Sequence, residues 1–299
     1  MRQLRLITNM RAHNDTWFAD YLLRVGNGTE EVDDQGNIVL PEDSCLPSTG
    51  EVDDLEKLIE HVFPSLDDNM ADSNYMTSRA ILSTTNDNVD KINIHMIEHF
   101  HGDEVIYHSF DSAEDDPYGY YAQEFLNGLT PNGLPPHALK LKLNCPVILL
   151  RNIDPANGLC NGTRLVVRGF ERNTIDAEIV IGQHAGRRVF LPRIPLCPSE
   201  NDMFPFKFKR KQFPIRLSFA MTINKAQGQT IPIVGVYLPN PVFSHGQLYV
   251  PLSRATAKRN IKILIQKDKP KEKTNKHKDN PKKRKRTSMS LPTSMKNIV

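Results

Sequence analysis

Between Lys140 and Leu196 the chain changes rhythm, and this change limits its possible folds more than any other feature. KLKLNCPVILLRN, TRLVVRGFE, TIDAEIVIG and RRVFLPRIPL are short strand-like runs, separated by Gly/Asn-bearing turns at 157–163 and 169–174. Short strands at such spacing predict a small antiparallel barrel. On either side the pattern alternates strand with helix, which predicts a parallel sheet flanked by helices. Upstream, LRLIT (4–8) reads as a strand. Residues 14–25 read as an amphipathic helix capped by Asn14 or Asp15, with Phe18, Tyr21, Leu22, Val25 and Trp17 on its apolar face and Gly26 at its end. A short helix over 55–63, a buried strand over 80–86, a helix over 88–100 capped by Asp87 or Asn88 and a strand over 105–111 follow. Downstream, strands over 216–223, 234–239 and 260–266 alternate with helices over 225–229 and 245–256. The expected fold class is α/β: a parallel-sheet domain over 1–111 and 212–266, with an antiparallel β module inserted at 112–211.

Charge is unevenly spread. Residues 267–299 hold 12 Lys+Arg against 3 Asp+Glu, leaving 26 against 32 in the rest, so the body is mildly acidic and the tail strongly basic. A nucleic-acid contact in the body must therefore come from local grooves and not from a global field. The tail is low in complexity and is expected to be disordered; its KKRKR run (282–286) fits nuclear import or polyanion binding. No apolar run approaches the ~18 residues of a membrane span, and MRQLRLITNMR lacks the apolar core of a signal peptide. Four widely spaced cysteines without a C-x-x-C pattern favour reduced thiols over a disulfide framework or a zinc site.

Two stretches near the end concentrate polar chemistry. RLSFAMTINKAQGQTI (216–231) should bring a strand to its carboxyl edge, where ligands bind in open α/β sheets. There Thr222 and Asn224 can hydrogen-bond phosphodiester oxygens, Lys225 can neutralise one, and Gly228 allows close backbone approach. HGQLYVPLSRAT (245–256) delivers Ser253 and Arg254 at the end of a helix. Two other patterns suggest chemistry that the surrounding sequence does not support. His95-Met96-Ile97-Glu98-His99 has the spacing of inverted zinc peptidases, but no downstream glutamate helix follows, and no metal site is expected. The acidic pairs Asp33-Asp34, Asp53-Asp54 and Asp115-Asp116 follow no buried strand and read as surface charge. Nowhere in the 299 residues does G-x-x-x-x-G-K-[ST] occur, the loop that cradles a triphosphate.

These two stretches resemble the fifth and sixth motifs of superfamily-one DNA helicases of the Pif type and their Helitron-transposon relatives. TNMR (8–11) resembles the fourth motif, STTNDNVDKIN (83–93) the polar strand end that follows it, and the region from Cys145 to Val167 the small inserted β module. Asn224 stands where many relatives have histidine, and Pro251 where they usually have alanine. The resemblance implies a RecA-like second motor domain of the P-loop NTPase class, working from five-prime to three-prime with ATP and Mg²⁺ as cofactors. It implies that Arg254 and Arg11 act catalytically on the nucleotide phosphates and that Gln227 and Gly228 face the nucleotide. It places single-stranded or forked DNA on Thr222, Asn224, Lys225, Thr84, Asn86 and Arg164, with Arg151 and Arg168 as further phosphate contacts. The phosphate loop and the Mg²⁺ carboxylates would belong to a first helicase domain, so the 299 residues alone are expected not to hydrolyse ATP. Nuclear localisation, with roles in replication, recombination, repair, telomere maintenance or Helitron transposition, completes the expectation. The competing expectation is a non-catalytic factor that binds single strands.

Overall fold

The computed structural model describes residues 9–34, 37–49, 53–116, 118–198, 204–239, 248–265 and 294–296. In chain order these form α1 (Thr16–Asn27), β1 (Asn37–Val39), β2 (Cys45–Leu46), α2 (Asp53–Val62), α3 (Leu66–Asn69), α4 (Ser73–Thr77), β3 (Arg79–Ser83) and α5 (Asn86–His99). Then come β4 (Val105–His108), β5 (Phe110–Ala113), α6 (Gln123–Gly128), β6 (Ala138–Leu141), β7 (Pro146–Leu149), β8 (Arg164–Phe170), β9 (Thr174–Ile179) and β10 (Arg188–Pro192). The chain ends with β11 (Ile194–Leu196), β12 (Phe208–Gln212), β13 (Ile215–Leu217), β14 (Ala220–Thr222), β15 (Ile233–Leu238), α7 (Tyr249–Leu252), β16 (Ile261–Ile265) and β17 (Ser294–Lys296). The expected strand over 4–8 and the KKRKR run lie outside the described residues. Among the described residues no helix is long and apolar enough to cross a membrane.

The chain forms two compact units: 1–62, 82–84 and 226–299 make the first, and 63–81 with 85–225 the second. These limits differ from 111/112 and 211/212, because the module expected at 112–211 folds together with α3 to α5 and with residues up to Lys225.

In the first unit β15 pairs in parallel with β16, Val236 opposite Ile263, and β16 pairs in parallel with β2. Val234, Val236 and Leu238 are buried along a nearly continuous apolar strand, as expected where both faces are covered. Helix α2 packs on β15 and β16 and buries Leu58 and Val62. Helix α1 buries Phe18, Tyr21, Leu22 and Val25, whereas Trp17 stays 47% exposed with the Lys258 ammonium 4.5 Å from its ring centre. Asp15 caps α1 by accepting from the Phe18 amide at 3.0 Å. The helix ends at Gly28 and not at Gly26: Gly28 takes the left-handed conformation (φ 69°) that closes the last turn. Gly26 meets a different need, since a Cβ there would stand 3.0 Å from the Tyr249 ring. Asp54, expected as surface charge, is buried and accepts from Ser48 Oγ, Thr49 N and Thr49 Oγ1 at 2.8–3.0 Å. Within the tail expected to be disordered, Ser294–Lys296 pairs antiparallel with Asn37–Val39.

The second unit contains a five-stranded antiparallel sheet in the order β10-β9-β8-β7-β13, a three-stranded sheet β11-β12-β5 and the pair β4-β6. Strand β9 alternates half-buried and buried positions, and a register shift between Val167 and Gly169 bends β8. The strand expected over 216–223 is broken in two. Leu217 pairs with Val147, and Ser218 N donates to Pro146 O at 2.9 Å, so the first half belongs to the antiparallel sheet. Buried Asn93 of α5 then holds the break: its Oδ1 accepts from Ala220 N at 2.8 Å, and its Nδ2 donates to Ala220 O and Leu217 O. Thr85, not Asp87 or Asn88, is the cap of α5, accepting from Asn88 N at 3.4 Å.

Candidate functional site

In the first unit Arg11, Gln227, Gly228 and Arg254 come together at one turn. Residues 225–229, expected to be helical, form turns, with Lys225 N on Thr222 O and Gln229 N on Ala226 O. Gly228 sits at φ +82°, which only glycine adopts without strain, and it is exposed together with Gln227. Arg254 grips this turn from the side. Its Nη1 donates to Gln229 O (3.0 Å) and Ala226 O (3.4 Å), its Nε to Val250 O (3.0 Å) and its Nη2 to Ser253 Oγ (2.8 Å). Arg11 closes the other side, donating from Nε to Thr230 Oγ1 (3.0 Å) and from Nη1 to Ser253 O (2.7 Å). Arg254 is buried, and that burial, helped by the nearby Arg11 charge, lowers its pKa from the ordinary arginine value. Two cations held against one turn fit a phosphate. None of these four residues offers an anionic oxygen, so the set does not fit a divalent cation.

The helix carrying Arg254 is shorter than expected. It begins at Tyr249, within a stretch whose residues 245–247 lie outside the described set, and ends at Leu252. Pro251 therefore falls in the first turn, where its missing N–H has no helical partner to lose.

The polar set of the second unit is dispersed. Thr222 is half-buried at the end of β14, and Asn224 is exposed. Lys225 lies in a basic neighbourhood: burial first, then the Arg216 guanidinium, push its pKa down to about 8 against the opposing pull of Asp90, with Arg151 adding to the depression. Asp90 of α5 lies 3.4 Å from Arg216 and is itself raised, by burial. Asn86 opens α5 and donates to Asn132 Oδ1 at 3.1 Å. Thr84, in the first unit, has a buried hydroxyl without a hydrogen-bond partner among the described residues.

Arg164 is the clear correction. Expected against the nucleic acid, it is only 2% exposed, and its guanidinium donates to Thr77 O (2.6 Å), Arg79 O (3.0 Å) and Ser218 O (3.2 Å). Burial brings its pKa down to about 10. A side chain so enclosed cannot meet a phosphate; it pins α4, β3 and the break after β13. Arg168 is likewise occupied, by Glu178, Asn144 and Ser73. Arg151 donates to Gly133 O and Leu150 O, yet still adds its charge near Lys225. Arg216 and Asp90 were missed: on the sequence they are a strand residue and a helix residue 126 positions apart. Of the zinc-like pattern, His95 and His99 lie one helical turn apart on α5 with ring centres 4.4 Å apart and planes tilted by 39°, and Glu98 is exposed.

Three comparisons bear on these residues. Residues 124–170 match the family described as "DNA helicase Pif1, 2B domain". The ATP-dependent DNA helicase PIF1 of Rattus norvegicus is 32% identical over 194 residues, which is 61% of this chain and 27% of the rat protein. The crystal structure of Pif1 helicase from Candida albicans superposes with a TM-score of 0.55 at 21% identity, covering 85% of this chain and 55% of that one. Bacteroides Pif1 in complex with ADP-AlF3 and single-stranded DNA gives the same TM-score at 20% identity, covering 87% and 51%. The chain thus spans about a quarter of the rat protein and about half of the solved ones. Sequence and fold point the same way: the chain is related to the C-terminal portion of the Pif-type helicases.

Proposed function

We propose that these residues are the second motor domain and antiparallel module of an ATP-dependent Pif-type DNA helicase acting on single-stranded or forked DNA. The observation that carries this reading is the convergence of Arg254 and Arg11 on the exposed turn of Gln227 and Gly228. When a nucleotide is bound between two motor domains, its phosphates and Mg²⁺ supply the charge that these side chains answer. Arg254 exchanges its carbonyl partners on the turn for a phosphate oxygen, stabilising charge that grows in the transition state. Lys225, two residues before Gln227, holds a phosphodiester of the bound strand together with Thr222 and Asn224. A nucleotide-driven shift of the turn is thereby passed directly to the DNA-holding residues.

The phosphate loop and the Mg²⁺ carboxylates come, in this reading, from a first motor domain outside the 299 residues. Joining a Pif-type first motor domain to this chain should yield DNA-stimulated ATP hydrolysis, while the 299 residues alone stay inactive. If the joined protein binds DNA through Lys225 but its hydrolysis is indifferent to Arg254, the chain is a single-strand-binding factor and not half a motor. Nuclear import through KKRKR (282–286) belongs to the same proposal. A reporter fused to residues 267–299 should accumulate in nuclei, and a version with the run neutralised should not.

A further inference from the structure

The outward face of the sheet β11-β12-β5 carries a cross-strand row that none of the helicase-like motifs uses. Phe110 lies opposite Lys211, and Lys211 opposite Pro195; the next row sets Ser112 opposite Lys209. Directly opposed residues share a face, and the alternate positions Asp111, Phe208, Arg210 and Gln212 are all buried on the other one. Phe110 is 68% exposed. Lys211 is exposed and makes no ion pair among the described residues, whereas Lys209 is paired with Glu114 at 2.6 Å. Arg193 lies beside the ring, its guanidinium 5.7 Å from the Phe110 centre and closer still to the buried Phe213 and Tyr107 rings (4.6 and 5.2 Å), and is fixed by donation to His108 O (2.8 Å) and Gln212 Oε1 (2.9 Å).

We propose that this face is a stacking platform for unpaired nucleotides, with a base on Phe110 and the adjoining phosphate on Lys211. A lone exposed phenylalanine means nothing by itself. Here, however, the ring stands in register with an unpaired ammonium and beside a fixed guanidinium, on a body that is otherwise mildly acidic. Sequence-tolerant single-strand sites are built from such rings, because every base has a π-face and the neighbouring cations take the backbone. A protein partner is the weaker match, since lysine is depleted from the cores of protein interfaces and a single ring offers little apolar area. The platform uses none of residues 222–225 and does not depend on the motor reading.

The test is binding of a fluorescein-labelled oligothymidylate to the 299-residue chain, followed by anisotropy across a salt series. Phe110→Ala should weaken binding at least fivefold and Phe110→Trp should preserve it. Lys211→Ala should weaken binding and lower the slope of log affinity against log salt by about 0.7. Both positions are exposed, so the thermal unfolding midpoints should match wild type. Binding that is equal for wild type, Phe110→Ala and Lys211→Ala overturns the platform, as does polyglutamate displacing the probe as well as unlabelled oligothymidylate. Lys225→Ala separates the two ideas: if it has no effect while Phe110→Ala weakens binding, the platform stands and the proposed groove fails.

Discussion

At Lys225, burial and two neighbouring guanidiniums oppose the very charge that a DNA phosphate would favour. With a pKa near 8 the ammonium is largely intact at pH 7 and largely neutral at pH 9. A phosphate favours the protonated form, so binding takes up a proton above pH 8. Affinity should fall as pH rises from 7 to 9, by at most about tenfold per pH unit. Anisotropy titrations across that range read the effect, and Lys225→Arg should abolish it, because a guanidinium stays charged throughout. Arg164 carries the opposite expectation. Arg164→Met strips three buried carbonyls of their donor and should cost on the order of 3 kcal/mol in urea unfolding. On the sequence, Arg164 and Lys225 are both cations near strand ends, and only the fold separates them. Strand β8 buries Arg164, Leu165, Val166 and Val167 in succession, so the usual alternation gave no sign that its first residue points inward. That Arg254 and Arg11 would lie against one turn follows from motif spacing and is met by their hydrogen bonds there; what they do at that turn is the proposal made above.

Elements were legible where periodicity ran long. The apolar face of α1 and the Val-rich β15 were both placed from their spacing. Short elements depend on tertiary partners, and there the pattern misled. The expected helix at 225–229 contains a glycine at φ +82° and only five residues, too few for helical bonds to repay the ordering of the chain. The break between β13 and β14 has no Gly or Pro to mark it; it exists because Asn93, far away in sequence, supplies the amide that the broken ladder lacks. Helix α7 starting at Tyr249 makes Pro251 compatible with a sound fold. Pro251→Ala should therefore change the unfolding free energy by less than about 1 kcal/mol, well short of the ~3 kcal/mol of a mid-helix proline. Gly28→Ala, by contrast, should cost about 1 kcal/mol, because alanine resists the left-handed cap of α1. Thermal or urea unfolding of the two variants checks both.

At the scale of the molecule, the alternation of strand and helix around an antiparallel insertion was visible in the sequence and is present in the structure. The limits of the compact units were not visible, since residues 63–81, 85–111 and 212–225 fold with the antiparallel strands through contacts that local pattern cannot encode. The proposed motor needs both the nucleotide-facing turn and the DNA-facing residues. The most direct test is single-turnover ATP hydrolysis by this chain joined to a Pif-type first motor domain, with and without single-stranded DNA. Arg254→Lys should lower the DNA-stimulated rate by about a thousandfold while leaving DNA affinity within a factor of three. Hydrolysis undiminished by that substitution would contradict the assignment of Arg254, and with it the reading of this chain as half of a motor.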